Sequence, residues 1–428
     1  MFKEDLNTVA KSESFFPITI KNFSIFNMTF SIIVTLCLLI LVAYIFDLSS
    51  KHTRVPTVIF LLLLGWGVHQ LTDLFHVKIP DLNPLLPILG TVGLILIVLE
   101  GGLELKIKKS NQQILKKSTL SAIISLMLTM VAIGFGFHYL SGMSILSSIV
   151  NAIPLCIVSS AIAIPSAENI SKDKKTFIIY ESSLSDIFGV IIFNFFVINE
   201  TISLGAIGNF FWQILIMLIV SIIASTLLAL LIRRIDHHVK FLPIIIITIL
   251  IYEIAKHYHL PALIFILIFG LLLNNIEKIK AIKFLNNVNT DKLTSEVGRF
   301  REIVIEFTFL VRTMFFLLFG FIIETKKILD VTSLMLAASI VALILLIRIV
   351  YLTISKIEIF PLLFIAPRGL ITILLFLSIP LNIKLPFITK SLMIQVILLS
   401  TFVMMFGLMF HKKKDHYKIQ KQKNQIDS

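Results

Sequence analysis

Apolar runs of about twenty residues recur thirteen times along this chain, and the segments between them are too short to fold as domains. A helix of roughly that length crosses the hydrocarbon of a bilayer. The runs lie near residues 26–46, 55–72, 82–103, 118–140, 144–167, 176–199, 203–232, 240–256, 260–274, 303–323, 331–355, 359–380 and 388–410. The expected fold is therefore all-α, a polytopic membrane protein of about 13 transmembrane helices. Only 15% of residues are charged, against about a quarter in soluble proteins, so the bilayer is the solvent and lipid the first partner.

Residues 1–25 mix Lys3, Lys11 and Lys21 with Glu4, Asp5 and Glu13 and contain no apolar core of a cleaved signal peptide. They read as an extracytoplasmic tail. Residues 26–410 form the transmembrane domain and residues 411–428 a basic cytoplasmic tail, short, charged and solvated.

A net charge of +13 would suit a nucleic-acid binder if it were clustered on one surface, but here it sorts by membrane side. Counted by connector, 26 of the 38 basic residues fall on one side and 9 on the other. Cytoplasmic connectors carry the excess, which puts the amino terminus outside, the carboxyl terminus inside, and no nucleic acid among the partners. The only two cysteines, Cys37 and Cys156, lie in separate apolar runs without metal-ligand spacing. Both are expected in the core. No HExxH, GxSxG, P-loop or GxGxxG pattern occurs, so neither an enzyme nor a resident cofactor is expected.

The remaining cations, Arg312, Arg348 and Arg368, lie inside spans, as do Glu181, Asp186, Glu253 and Glu306. A charge at the bilayer centre costs at least about 2.5 kcal/mol, so such residues pair, face an aqueous cavity or carry function. Arg312, Glu253 and Glu306 read as ion-pairing residues that fix helices, and Glu100 and Glu104 as residues near a helix end. The segment Glu181-Ser182-Ser183-Leu184-Ser185-Asp186 is different, because it places five polar side chains within two turns of an apolar helix. Glu181 and Ser185 share one face and Ser182 and Asp186 the next. Such oxygens suit a hard alkali cation, and a carboxylate there can hold a cation or a proton. A second segment, Ser159-Ser160-Ala161-Ile162-Ala163-Ile164-Pro165-Ser166, should break its helix at Pro165 and free a carbonyl one turn earlier. Breaks of this kind place ligand groups at the midplane of secondary transporters.

With these residues in view, the chain resembles the monovalent cation:proton antiporter superfamily, in its sodium/proton exchanger branch. The family's Glu-Ser-x-x-Asn-Asp stretch reads Glu181-Ser182-Ser183-Leu184-Ser185-Asp186, with Ser185 in place of Asn. Glu100-Gly101-Gly102-Leu103-Glu104, Phe315-Phe316-Leu317-Leu318-Phe319-Gly320, Arg348 and Pro367-Arg368-Gly369-Leu370 are similar too. The resemblance implies an inverted-repeat fold with two crossing broken helices, a homodimer, and a core bundle moving against a dimerisation bundle. It implies that Asp186 carries the transported Na+ or K+ and H+, that Ser182 and Ser185 lie near it as neutral oxygens, and that Glu181 pairs with Arg348. Arg368 is a supporting charge and Ser159, Ser160 and Pro165 form the broken-helix region. Where the family carries Thr-Asp-Pro the chain reads Ala163-Ile164-Pro165, so a hydroxyl and a carboxylate are missing and Ser159, Ser160 and freed carbonyls stand in for them. Two other readings stay open: a scaffold or sensor that keeps the fold without transport, and a cation channel, which needs a continuous polar path rather than one tight cluster.

The charge asymmetry predicts that residues 275–302 face the cytoplasm. A cytoplasmic reporter fused after Asn287 should be active and one fused after Asn83 silent. The reverse pattern would overturn the span assignment.

Overall fold

The computed structural model describes residues 34, 37–49, 56–76, 82, 84–105, 112–167, 170–199, 203–234, 240–258, 260–275, 290–322 and 330–426, without the side chains of 230, 232–234, 290–293 and 410–426. The tail expected over 1–25, much of the basic connector 275–302 and the side chains of the carboxyl-terminal tail lie outside the described residues.

Among the described residues every regular element is helical. The helices are α1 (Cys37–Ser49), α2 (Thr57–Leu74), α3 (Leu85–Glu104), α4 (Gln112–Ser141), α5 (Ile145–Cys156), α6 (Ser160–Ser166) and α7 (Lys172–Ile198). They continue as α8 (Leu204–Arg234), α9 (Phe241–His257), α10 (Leu263–Asn274), α11 (Thr290–Phe321), α12 (Val331–Ile354), α13 (Leu370–Leu377) and α14 (Lys390–Ile426). Among the described residues nine helical stretches, with α5 and α6 counted as one, are each long and apolar enough to cross a membrane. Local chemistry sets several boundaries. The Ser144 hydroxyl caps α5 by accepting from the Ser147 N–H at 3.2 Å, and Asp330 caps α12 by accepting from the Ser333 N–H at 2.9 Å.

Two apolar runs do not remain helical across their length. The run 144–167 opens between α5 and α6, at residues 157–159, and the run 359–380 is extended over 365–369 before α13 begins. The two openings meet, with the Ser159 N–H donating to the Pro367 carbonyl at 2.9 Å. The break expected at Pro165 is thus displaced: Pro165 lies within α6, near its end. The helix opens earlier because partners for its freed groups exist there. Ser185 Oγ accepts from the Val158 N–H at 3.0 Å, and Arg368 Nε donates to the Leu155 carbonyl at 2.7 Å.

Polar contacts near the helix ends tie several connectors to the bundle. Lys174 bridges Glu358 and donates to the Phe360 carbonyl, Arg301 meets Glu104 at 3.5 Å, and Lys240 meets Glu296 at 2.7 Å. Asn151 donates to the Ile383 carbonyl at 2.8 Å and accepts from the Leu385 N–H. Cys156 is buried, but Cys37, expected in the core, is exposed on α1, a peripheral helix that turns Ala43 inward instead.

Helix α2 and helix α11 approach closely through glycines. A Cβ on Gly65 would lie 2.1 Å from the Leu317 carbonyl oxygen, and one on Gly320 would lie 2.4 Å from that of Leu62. Small residues permit such backbone contact, on which helix association in lipid relies. Gly65→Ala should therefore force the helices apart and cost about 1–3 kcal/mol or more. Thermal unfolding in detergent should begin at lower temperature, whereas Gly67→Ala, whose Cβ meets nothing within 4 Å, should leave the transition unchanged or raise it.

Candidate functional site

Helix α7 carries Glu181, Ser182, Ser183, Ser185 and Asp186 into the interior, where all five are buried. Glu181 meets Arg348 of α12 through two parallel bonds, Nη1 to Oε1 at 2.9 Å and Nη2 to Oε2 at 2.7 Å. The fork geometry of guanidinium on carboxylate makes this among the strongest of side-chain pairs. Two further contacts complete it. Ser121 of α4 donates to Glu181 Oε1 at 2.6 Å, and Arg348 Nε donates to the Leu362 carbonyl at 2.8 Å. One pair thereby ties α4, α7, α12 and the approach to the second opening together. Nothing in the sequence distinguishes Ser121 from Ser118 or Ser125, so its part was not legible there.

Arg368 is buried with its own set of acceptors. Besides the Leu155 carbonyl at the end of α5, it reaches the Ala366 carbonyl through Nη1 at 2.7 Å, and its N–H donates to Ser400 Oγ at 3.1 Å. Carbonyls at the carboxyl end of a helix carry partial negative charge, so a guanidinium is favourable there.

Asp186 lies beside the first opening. Its Oδ2 accepts from the Ser160 N–H at 3.1 Å and from the Ser160 hydroxyl at 2.5 Å. Its Oδ1 is buried with no hydrogen-bond partner among the described residues, and the same holds for Ser183 Oγ. Both residues line a cavity of about 10 Å³, together with Ser160, Gly101, Gly102, Ile97, Val98 and Ile187. That is room for about one water-sized body.

This geometry gives Ser182 and Ser185 backbone partners and sets the helix opening ahead of Pro165. Ser182 Oγ donates to the Ile178 carbonyl of its own helix at 2.7 Å, and Ser185 Oγ serves the Val158 N–H, so neither hydroxyl is committed to the cavity. The unwound stretch that the resemblance assigns to Ala163-Ile164-Pro165 is occupied by Ile157, Val158 and Ser159, with Ser160 opening α6. Ser159 and Ser160 do stand at the break. Among the remaining acids at depth, Glu100 lies beside Arg312 and Thr308, whereas Glu253 and Glu306 are exposed rather than buried in pairs. Chemically, the cavity offers a carboxylate and hydroxyl oxygens within one shell, a donor set suited to a hard cation or a proton and not to a soft metal.

The transmembrane sodium/hydrogen exchanger family matches residues 37–412, nearly the whole chain. The chain belongs to the sodium/hydrogen exchanger family. Members of this family are ion transporters, and the match takes in both openings, the Glu181–Arg348 pair and Asp186. Among solved structures, the fold is similar to that of the sodium proton antiporter MjNhaP1 from Methanocaldococcus jannaschii at pH 8, with a TM-score of 0.63 at 17% identity over 88% of this chain and 95% of that one. An electron-microscopy map of the same antiporter gives a TM-score of 0.62 at 16% identity, over 89% and 95% of the two chains. No curated protein matches in sequence. The exchanger-family chain thus has an antiporter fold at an identity where side-chain roles must be argued from its own geometry.

Breaking the buried pair should strand a charge. Glu181→Gln and Arg348→Gln should each cost about 3–5 kcal/mol, and the double variant less than their sum. Ser121→Ala, which removes one hydrogen bond to the carboxylate, should cost about 1–3 kcal/mol. Unfolding in detergent measures all four; unchanged stability in both single variants and the double would remove the pair as a structural anchor.

Proposed function

We propose that the protein exchanges Na+ or K+ for H+ across the cell membrane by alternating access, with Asp186 as the shared site of cation and proton. The observation that carries this reading is the Asp186 carboxylate itself: buried, held on one oxygen by Ser160, bare on the other, and facing a cavity. Among the described residues no cation pairs with it, because Arg348 is engaged by Glu181 and Arg368 by carbonyls. An isolated buried charge is costly, so the group is neutralised by whichever of the two passengers is present. Competition for one site couples the two fluxes without any further device.

A single unpaired carboxylate moves one positive charge in each direction, which makes exchange electroneutral at one cation per proton. In this reading the amino terminus is outside and the carboxyl terminus cytoplasmic, residues 26–410 form the transport domain, and two copies associate as a homodimer. Transport is favoured over a passive scaffold by Ser160, which brings an N–H and a hydroxyl to Asp186 from the break itself.

Proteoliposomes loaded with a pH-sensitive dye test the proposal. Wild-type protein should collapse an imposed proton gradient on addition of the transported cation, and Asp186→Asn should abolish that flux while eluting and unfolding like a folded protein. Full activity in Asp186→Asn would remove Asp186 from the mechanism. An imposed membrane potential should leave the wild-type rate unchanged; a strong voltage response would keep the site and reject the stoichiometry.

A further inference from the structure

We propose that Ser183 is a ligand of the transported cation and that Gly101, facing it from α3, sets the size of ion the site accepts. This rests on the reading of Asp186 given above and deepens it. Of the three serines between Glu181 and Asp186, two have committed hydroxyls, Ser182 to the Ile178 carbonyl and Ser185 to the Val158 N–H. A serine or threonine within a helix ordinarily donates to a carbonyl one turn back, as Ser118, Thr129 and Ser182 do here. Ser183 does not. Its Oγ is buried, only 4% of the residue is exposed, and no group among the described residues satisfies it.

A buried hydroxyl without a partner is unfavourable unless something else occupies it. Ser183 and Asp186 are three apart, hence on one face of α7, and both line the same small cavity. Two orphaned oxygens therefore converge on one space, with Ser160 Oγ beside them. A hydroxyl oxygen and a carboxylate oxygen are both ligands that an alkali cation accepts in exchange for water. The cavity has room for about one water-sized body, so the ion enters with most of its hydration replaced by these oxygens.

The wall opposite Ser183 is a glycine with space to spare. A Cβ on Gly101 would lie 3.6 Å from Ser183 Oγ and 3.9 Å from Ser183 Cβ, ordinary contact distances, and so would take up free space without a clash. Gly102 has a different role: a Cβ there would come within 3.0 Å of the Leu267 carbonyl and 3.1 Å of Gly270 Cα, where α3 packs on α10. Adding a methyl at Gly101 should therefore shrink the ion's space while the helix contact stays intact.

The test pairs two measurements on the purified full-length chain: stabilisation against heat as Li+, Na+ and K+ are each titrated, which reports binding to the folded state, and dye-detected exchange in proteoliposomes. Ser183→Ala should raise the half-saturating cation concentration about tenfold in both, as loss of one charge-assisted contact does. Gly101→Ala should weaken K+ more than Na+ and Na+ more than Li+. A Ser183→Ala curve superimposable on the wild type, or a shift in Ser182→Ala with none in Ser183→Ala, overturns the assignment. Absence of stabilisation of the wild type by all three ions overturns it as well. If Asp186→Asn loses cation binding while Ser183→Ala keeps it, Asp186 stands and Ser183 falls; if Asp186→Asn exchanges at the wild-type rate, the reading of Asp186 falls by itself.

Discussion

In hydrocarbon an amide or carbonyl without a partner is costly, and two helices that open partway across a membrane expose several at once. The arrangement of this protein depends on how those groups are satisfied. The openings lie against each other, so that the Ser159 N–H finds the Pro367 carbonyl. Side chains take others: Ser185 receives the Val158 N–H, Ser400 receives the Arg368 N–H, and the Arg368 guanidinium covers the Leu155 carbonyl at the end of α5. Once the openings are fixed in this way, the first residue of α6 is held against α7, and Ser160 meets Asp186.

Glu181 and Asp186 lie five residues apart on one helix and have opposite circumstances. Glu181 is saturated by a guanidinium fork and a serine, whereas Asp186 keeps a bare oxygen. Replacing the pair by apolar residues could yield an equally stable bundle, since buried pairs often do no better than well-packed hydrocarbon. Its value is selective: it withdraws Arg348 from competition for the second carboxylate. The close glycine contacts of α2 with α11 and of α3 with α10 contribute the rigid frame around this interior.

Much of the fold was legible because the bilayer imposes length and polarity on every span. Among the described residues the apolar runs correspond to the helices and the two opened stretches. The buried cluster stood out for the same reason, since five polar side chains in an apolar helix have no structural excuse. Finer placement was harder. Pro165 is the stronger helix breaker by local chemistry, yet the break falls at 157–159 because its partners, Ser185, Pro367 and Arg368, come from elsewhere in the chain. Likewise Ser182, Ser183 and Ser185 look equivalent in sequence; only packing decides which hydroxyls bond to backbone and which one is left over. Ser121 reaches Glu181 across 60 positions, and no local pattern records that distance.

Among the described residues Arg368 binds carbonyls and no carboxylate, and that has an electrical consequence for the core. With Glu181 and Arg348 cancelling, the charges left beside the two openings are Arg368 and Asp186, one of each sign. In the proposed exchange, an ionised and empty Asp186 brings the four groups to zero, and either passenger bound there would bring them to plus one. The two loaded forms of the proposed cycle are thus electrostatic twins, and the rearrangement proposed to carry the core from one aqueous face to the other would meet the same field with a proton aboard as with a metal ion.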